Sequence, residues 1–128
     1  MSTQLKINQP FLSVEELNDL IIDSIQDIKG KKIVKLDLRD LEEAPTDFFI
    51  ICEGDSNTQV KAISENIHKR VKEEGKLLPF HTEGTNNSLW ICVDYFSTVV
   101  HIFYRETRDF YELEDLWSDA GLTEYENL

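Results

Sequence analysis

Five consecutive apolar residues, Phe48-Phe49-Ile50-Ile51-Cys52, stand between Asp47 and Glu53, and this run constrains the fold more tightly than any other segment. Short, rich in aromatic and β-branched residues and closed by Gly54-Asp55, it predicts a strand. Neighbouring side chains on a strand point to opposite faces, so both faces of this one must be covered. It therefore belongs in the middle of a sheet with layers on either side. Upstream, Ile33-Val34-Lys35-Leu36-Asp37-Leu38 alternates, placing Val34, Leu36 and Leu38 on one face of a second strand.

Helices are marked just as clearly. Ser13-Val14-Glu15-Glu16 is a capping box with Leu12 and Leu17 at staple positions. The stripe Leu17, Leu20, Ile21, Ile25, Ile28 follows, and Gly30 is expected as a left-handed C-cap. Ser56-Asn57-Thr58-Gln59 offers a second capping box, opening a helix with apolar Val60, Ile63, Ile67 and Val71 that ends at Gly75. Strands are predicted over Leu77–Thr82, Leu89–Asp94 and Thr98–Tyr104, before a helix carrying Phe110, Leu113, Leu116 and Trp117. The order αββαβββα predicts an α+β fold with a mixed, roughly five-stranded sheet and flanking helices. The expected organisation is a flexible segment at 1–12, one domain at 13–120 and an acidic tail at 121–128.

With 128 residues there is room for one domain and none for a separate catalytic one. Twenty-five acids against thirteen Lys and Arg give a net charge of -12. Such a charge repels nucleic acid and anionic membrane and favours basic partners, although solubility alone also accounts for it. Residues 106–128 are the most acidic part, with eight acids and one Arg. Cys52 and Cys92 lie in apolar runs without CxxC spacing, so buried, reduced thiols are expected. Met1 to Ser13 has no apolar core and no Arg, which argues against a targeting peptide. No stretch approaches the roughly 20 apolar residues of a membrane span. A cytoplasmic location is expected.

A two-residue loop at Phe96-Ser97 would set Cys92 opposite His101 and Trp90 opposite Phe103. Parity then puts Ile91, Val93, Tyr95, Val100, Ile102 and Tyr104 on the core face. Trp90, Cys92, Asp94, Val99, His101 and Phe103 share the other. That second face has the makeup of a contact patch, the alternative being that the last helix covers it. Cys92, His101 and Asp94 also fit a nucleophile, base and orienter, yet strand pairing brings such residues together by chance and no oxyanion hole is signalled. His68, His81 and His101 lack metal-site spacing. Gly54-Asp55-Ser56 at a helix start is read as a capping turn, because Asp55 would oppose a phosphate there. In Asp37-Leu38-Arg39 an Arg stands where two-metal nucleotidyl transfer would place a second acid. No catalytic residue, metal or cofactor is expected.

Several motifs occur together and in order: Thr46-Asp47-Phe48-Phe49-Ile50-Ile51, Gly54, Ser56 to Ile63, Glu83-Gly84, Trp90, Val93-Asp94-Tyr95, Val99 to Phe103 and Arg108 to Trp117. From about Leu17 to Ala120 the chain resembles the ribosomal silencing factor, or Iojap, family. The resemblance implies a nucleotidyltransferase-like fold that lacks the catalytic carboxylates. It also implies a factor that docks on protein number fourteen of the large ribosomal subunit, sterically prevents the small subunit from joining, and lowers translation when nutrients are scarce. Some members form homodimers, and organellar relatives act in assembly of the large subunit; the N-terminal segment points to a bacterial cytosolic member. Carried over by motif, the candidate partner contacts are Trp90, Asp94, Tyr95, His101, Phe103, Arg108, Phe110, Tyr111 and Glu114. For Tyr95, on the core face by parity, and for Phe110, a structural role is the alternative. Phe96-Ser97 departs from the Gly-Asp type of turn more frequent in the family. Two competing readings are a nucleotidyl-transfer enzyme using the Gly54-Asp55-Ser56 turn and a homodimeric scaffold pairing through its apolar strand face.

Overall fold

The computed structural model describes residues 12–128, so all but Leu12 of the expected N-terminal segment lies outside the described residues. Helix α1 (Val14–Asp27) begins at the Ser13 capping box, in which Ser13 Oγ accepts from Glu16 N–H and Glu16 returns a bond to Ser13 N–H. Gly30 does not take the left-handed position; Lys29 does, at φ 63°. Gly30 is needed for closeness instead, since a Cβ there would stand 2.3 Å from Ile25 Cγ2.

Strand β1 (Lys31–Asp37) pairs antiparallel with β2 (Phe48–Gly54), with an irregularity between Lys31 and Val34. All seven residues of β2 are buried, as an apolar run needing cover on both faces requires. Helix α2 (Asn57–Gly75) follows. Its Ser56 cap accepts from Gln59 N–H, but the Gln59 side chain accepts from Asp55 N–H rather than closing a reciprocal box.

The third strand is shorter than predicted. Pro79 has no N–H for a ladder, and only β3 (His81–Glu83) pairs with β4 (Trp90–Asp94). Strand β5 (Thr98–Tyr104) returns antiparallel to β4 in the predicted register, Trp90 opposite Phe103 and Cys92 opposite His101, and runs parallel to β2.

Two expectations about the C-terminal part are corrected. The single terminal helix is two pieces, α3 (Arg105–Tyr111) and α4 (Leu113–Leu116), broken at Glu112, whose φ is 47°. Residues 121–128 are more than a solvated tail: Gly121–Tyr125 forms β6, which pairs antiparallel along β1. Among the described residues the sheet thus has six strands, in the order β3-β4-β5-β2-β1-β6.

Helices α1 and α2 cover one face through Ile21, Ile25, Ile63 and Ile67, packed with Ile50, Ile91 and Ile102 from the sheet. The opposite face carries Val34, Leu36, Phe49, Ile51 and Phe103 and is covered by Leu113 and Trp117 from the broken C-terminal helix. This is the mixed α+β architecture expected. Among the described residues no helix is long and apolar enough to cross a membrane.

Candidate functional site

Strand parity sorts the candidate residues as anticipated, and the C-terminal helices decide which of them reach solvent. Tyr95 is buried on the α1/α2 side at 5% exposure. On the other face Phe103 is sealed at 0% and His101 at 7%. Their burial has a direct cause. The Phe49 ring meets the His101 ring edge-on at 4.5 Å and Trp117 at 6.0 Å, so the terminal segment closes over them. In this conformation Phe103 presents no surface to a partner and His101 very little.

Trp90 sits at the margin, half-buried, its ring stacked on Phe103 at 4.8 Å with Tyr111 at 4.8 Å on the solvent side. Beyond it Phe110 is 80% exposed and Leu116 72% exposed. The helical spacing of Phe110, Leu113, Leu116 and Trp117 is interrupted at Glu112, so Leu113 and Trp117 pack inward while Phe110 and Leu116 stay exposed. Asp94 is half-exposed, and one of its carboxylate oxygens accepts from Phe96 N–H at 2.7 Å, holding the hairpin turn.

Gly84 sets the position of Trp90. Its φ is 90°, and a Cβ there would fall 1.9 Å from the Trp90 carbonyl oxygen, so any side chain would push β4 away.

The titratable pair on this face is electrostatically quiet. Trp90 Nε1–H donates to His101 Nδ1 at 3.1 Å, and Cys92 Sγ lies 3.5 Å from the same nitrogen. An indole N–H only donates, so Nδ1 is the acceptor and the neutral ring carries its proton on Nε2. Burial pulls the His101 pKa down to about 4. Burial, with Glu83 and Asp94 nearby, raises Cys92 to about 11. At neutral pH this is a thiol beside a neutral imidazole and not an activated thiolate pair. Cys52, fully buried, is pushed up to about 12 by desolvation and is inert.

Arg108 is buried as well, with its guanidinium bonded to Lys32 O at 2.7 Å, Glu53 Oε1 at 3.3 Å and Glu114 Oε2 at 2.7 Å. Glu53 is only 2% exposed and was not singled out from sequence; a lone acid ending an apolar strand run was the available signal. Beside this network opens a cleft of about 660 Å³ lined by Glu53, Asp109, Glu112, Glu114 and Glu124. Also unanticipated is an exposed edge-on pair, Phe80 and Phe96, with ring centroids 5.6 Å apart.

The alternative sites are filled by internal partners. Asp55 is paired with Lys31 at 2.6 Å and its carboxyl is held below the usual range by that bond. The Asp37 carboxylate is clamped by both arms of Arg39, at 2.9 and 2.7 Å. Among the described residues no group of three or more His, Cys, Asp or Glu is placed to hold a metal ion.

A mixed sheet with one quiet face, an acidic cleft and an aromatic ridge does not by itself name a family, but residues 12–128 match the family model described as ribosomal silencing factor during starvation. The chain belongs to that family. It is 34% identical over 117 residues to the ribosomal silencing factor of Halalkalibacterium halodurans, covering 91% of this chain and 98% of that one. A crystal structure of a Chromobacterium violaceum protein superposes with a TM-score of 0.79 at 36% identity, covering 84% of this chain and 88% of the other. A mouse protein named for mitochondrial assembly of the ribosomal large subunit is 37% identical over 75 residues, covering 57% of this chain and 33% of its own length. The chain is thus a ribosomal silencing factor by family, and its relatives carry names of regulators and assembly factors rather than of enzymes.

Proposed function

We propose that this silencing factor works by binding and not by catalysis: it docks on the large ribosomal subunit through protein number fourteen and blocks joining of the small subunit by occupying its place. The observation that carries the reading is the ridge of Phe110 and Tyr111, exposed by 80% and 49% with ring centroids 5.1 Å apart, beside half-buried Trp90. Exposed aromatics grouped on one surface are the anchors from which interface cores are built. The acids that flank these rings in sequence, Asp109, Glu112 and Asp115, and a net charge of -12 suit a basic ribosomal surface.

Sedimentation of the tagged protein through a sucrose gradient tests it. Co-migration with free large subunits, and absence from whole ribosomes, is the expected pattern; protein found only at the top of the gradient would overturn the reading. Phe110→Ala removes an exposed ring with little effect on the fold, and is expected to weaken binding to purified large subunits by about 2 kcal/mol. An assembly role is the second reading, favoured by the name of the mouse relative. It predicts that incomplete large subunits accumulate when the protein is deleted.

A further inference from the structure

The sequence of the last helical segment contradicts the shape it takes. Phe110, Leu113 and Trp117 stand at i, i+3 and i+7, the spacing of one buried stripe on a continuous helix. In such a helix Phe110 would face inward with Leu113. Instead the chain breaks at Glu112, a non-glycine residue held at φ 47°, and Phe110 turns out to solvent while Leu113 stays buried. A left-handed residue is disfavoured for any side chain, so something beyond local preference holds the break.

Arg108 is the group that spans it. Its carbonyl accepts from Glu112 N–H at 2.9 Å, closing α3. Its guanidinium reaches across the break to Glu114 Oε2, at 2.7 and 3.2 Å, and fixes the first turn of α4. The remaining arm enters the sheet, donating to Lys32 O at the irregular start of β1 and to Glu53 Oε1 in central β2. One planar side chain, 8% exposed, thus bonds three separate elements. A lysine, with one compact ammonium, cannot serve acceptors arranged around a guanidinium fork.

We propose that Arg108 is a positioning residue for docking: without touching the partner, it holds the α3–α4 break that turns Phe110 outward. The inference rests on the reading of the aromatic ridge as the docking face, and it moves Arg108 from contact to latch.

The test is a double-mutant cycle of Arg108→Lys with Phe110→Ala, read as affinity for purified large ribosomal subunits. Arg108→Lys is expected to weaken binding at least tenfold. In that background Phe110→Ala should cost less than threefold, because the ring no longer stands in place. Full loss from Phe110→Ala in both backgrounds, or native affinity of Arg108→Lys, would overturn the latch. Should Arg108→Lys fail to fold, Glu114→Ala cuts only the arm across the break. A weaker affinity and a reduced Phe110→Ala effect are then expected, and no change in either counts against the proposal.

A fluorinated phenylalanine at position 110, followed by its response to a soluble paramagnetic probe, separates this inference from the docking reading. If Phe110→Ala leaves subunit binding intact in the native background, the docking reading fails. The latch itself still stands or falls on the label, whose solvent exposure should drop in Arg108→Lys and would refute the latch by staying unchanged.

Discussion

Burial keeps the His101 imidazole neutral, with its pKa lowered to about 4 and Nδ1 occupied by Trp90 Nε1–H. The unfolded chain holds a proton on this residue up to about pH 6.5, so between those values it binds more protons than the native state. Stability therefore falls as pH drops from about 6.5 to about 4 and levels off below, a loss on the order of 3 kcal/mol from this residue. Melting curves across that range should be flatter for His101→Gln than for the native chain; parallel curves would exclude His101 as the source. Phe96 offers the opposite kind of test. It is 74% exposed and sits at φ 75°, where a Cβ is disfavoured. Phe96→Gly is expected to stabilise the fold by about 0.5–1 kcal/mol, seen as a rise in melting temperature. A fall would mean that the edge-on contact with Phe80 outweighs the backbone strain.

Among the elements, β6 adds most to what the sequence implied. Its ladder with β1 runs from Ile33 opposite Tyr125 to Asp37 opposite Gly121. Gln26 donates to Glu126 O, and Lys32 N–H donates to Asn127 Oδ1, fastening the end of the chain beyond the strand. Removing residues 121–128 is expected to cost about 1–3 kcal/mol, on the scale of a handful of cross-strand pairs. Hydrogen exchange should quicken along β1, which becomes an open edge, while α1 and α2 stay protected. Uniform loss of protection would instead mean that β6 is needed for the whole domain to fold. Helices α1 and α2 are joined at their surface by Arg70, which bonds Asp23, Asp27 and Glu74 at 2.6 to 2.9 Å. The core beneath them dominates, because exposed ion pairs contribute at most about 1 kcal/mol each.

For the molecule as a whole, a net charge of -12 and an aromatic ridge act on different steps of binding. Long-range attraction to a basic surface speeds encounter and is screened by salt, whereas desolvated rings slow release. Raising ionic strength from 50 to 300 mM, roughly a two- to threefold shortening of the screening length, should lower the association rate of the factor with large subunits. The dissociation rate should change little. A dissociation rate that carried most of the salt effect would place the anchoring in ion pairs instead.

Much of the fold was legible because its signals are local. The Ser13 capping box, the helical stripes ending in Ile28 and Val71, the Phe96-Ser97 hairpin register and the two-sided burial of Phe48 to Cys52 each follow from residues close in sequence. Periodicity also separated Ile91 and Val93 from Trp90 and Phe103 on opposite faces. The site was legible only as a collection of residues. Whether His101 and Phe103 meet solvent depends on Trp117 and Leu113 folding back over them, and whether Phe110 does depends on Arg108 reaching Glu53 and Lys32, far away in the chain. The pairing of β6 with β1 is of the same kind, since residues 121–125 show no strand signal until β1 offers them an edge. Sequence determined which residues are apolar, where helices start and which strand face each side chain occupies, because these depend on backbone geometry over a few residues. Tertiary structure alone decided which of them are covered and where the last helix breaks, because buried charge and long-range pairing outweigh local helical preference.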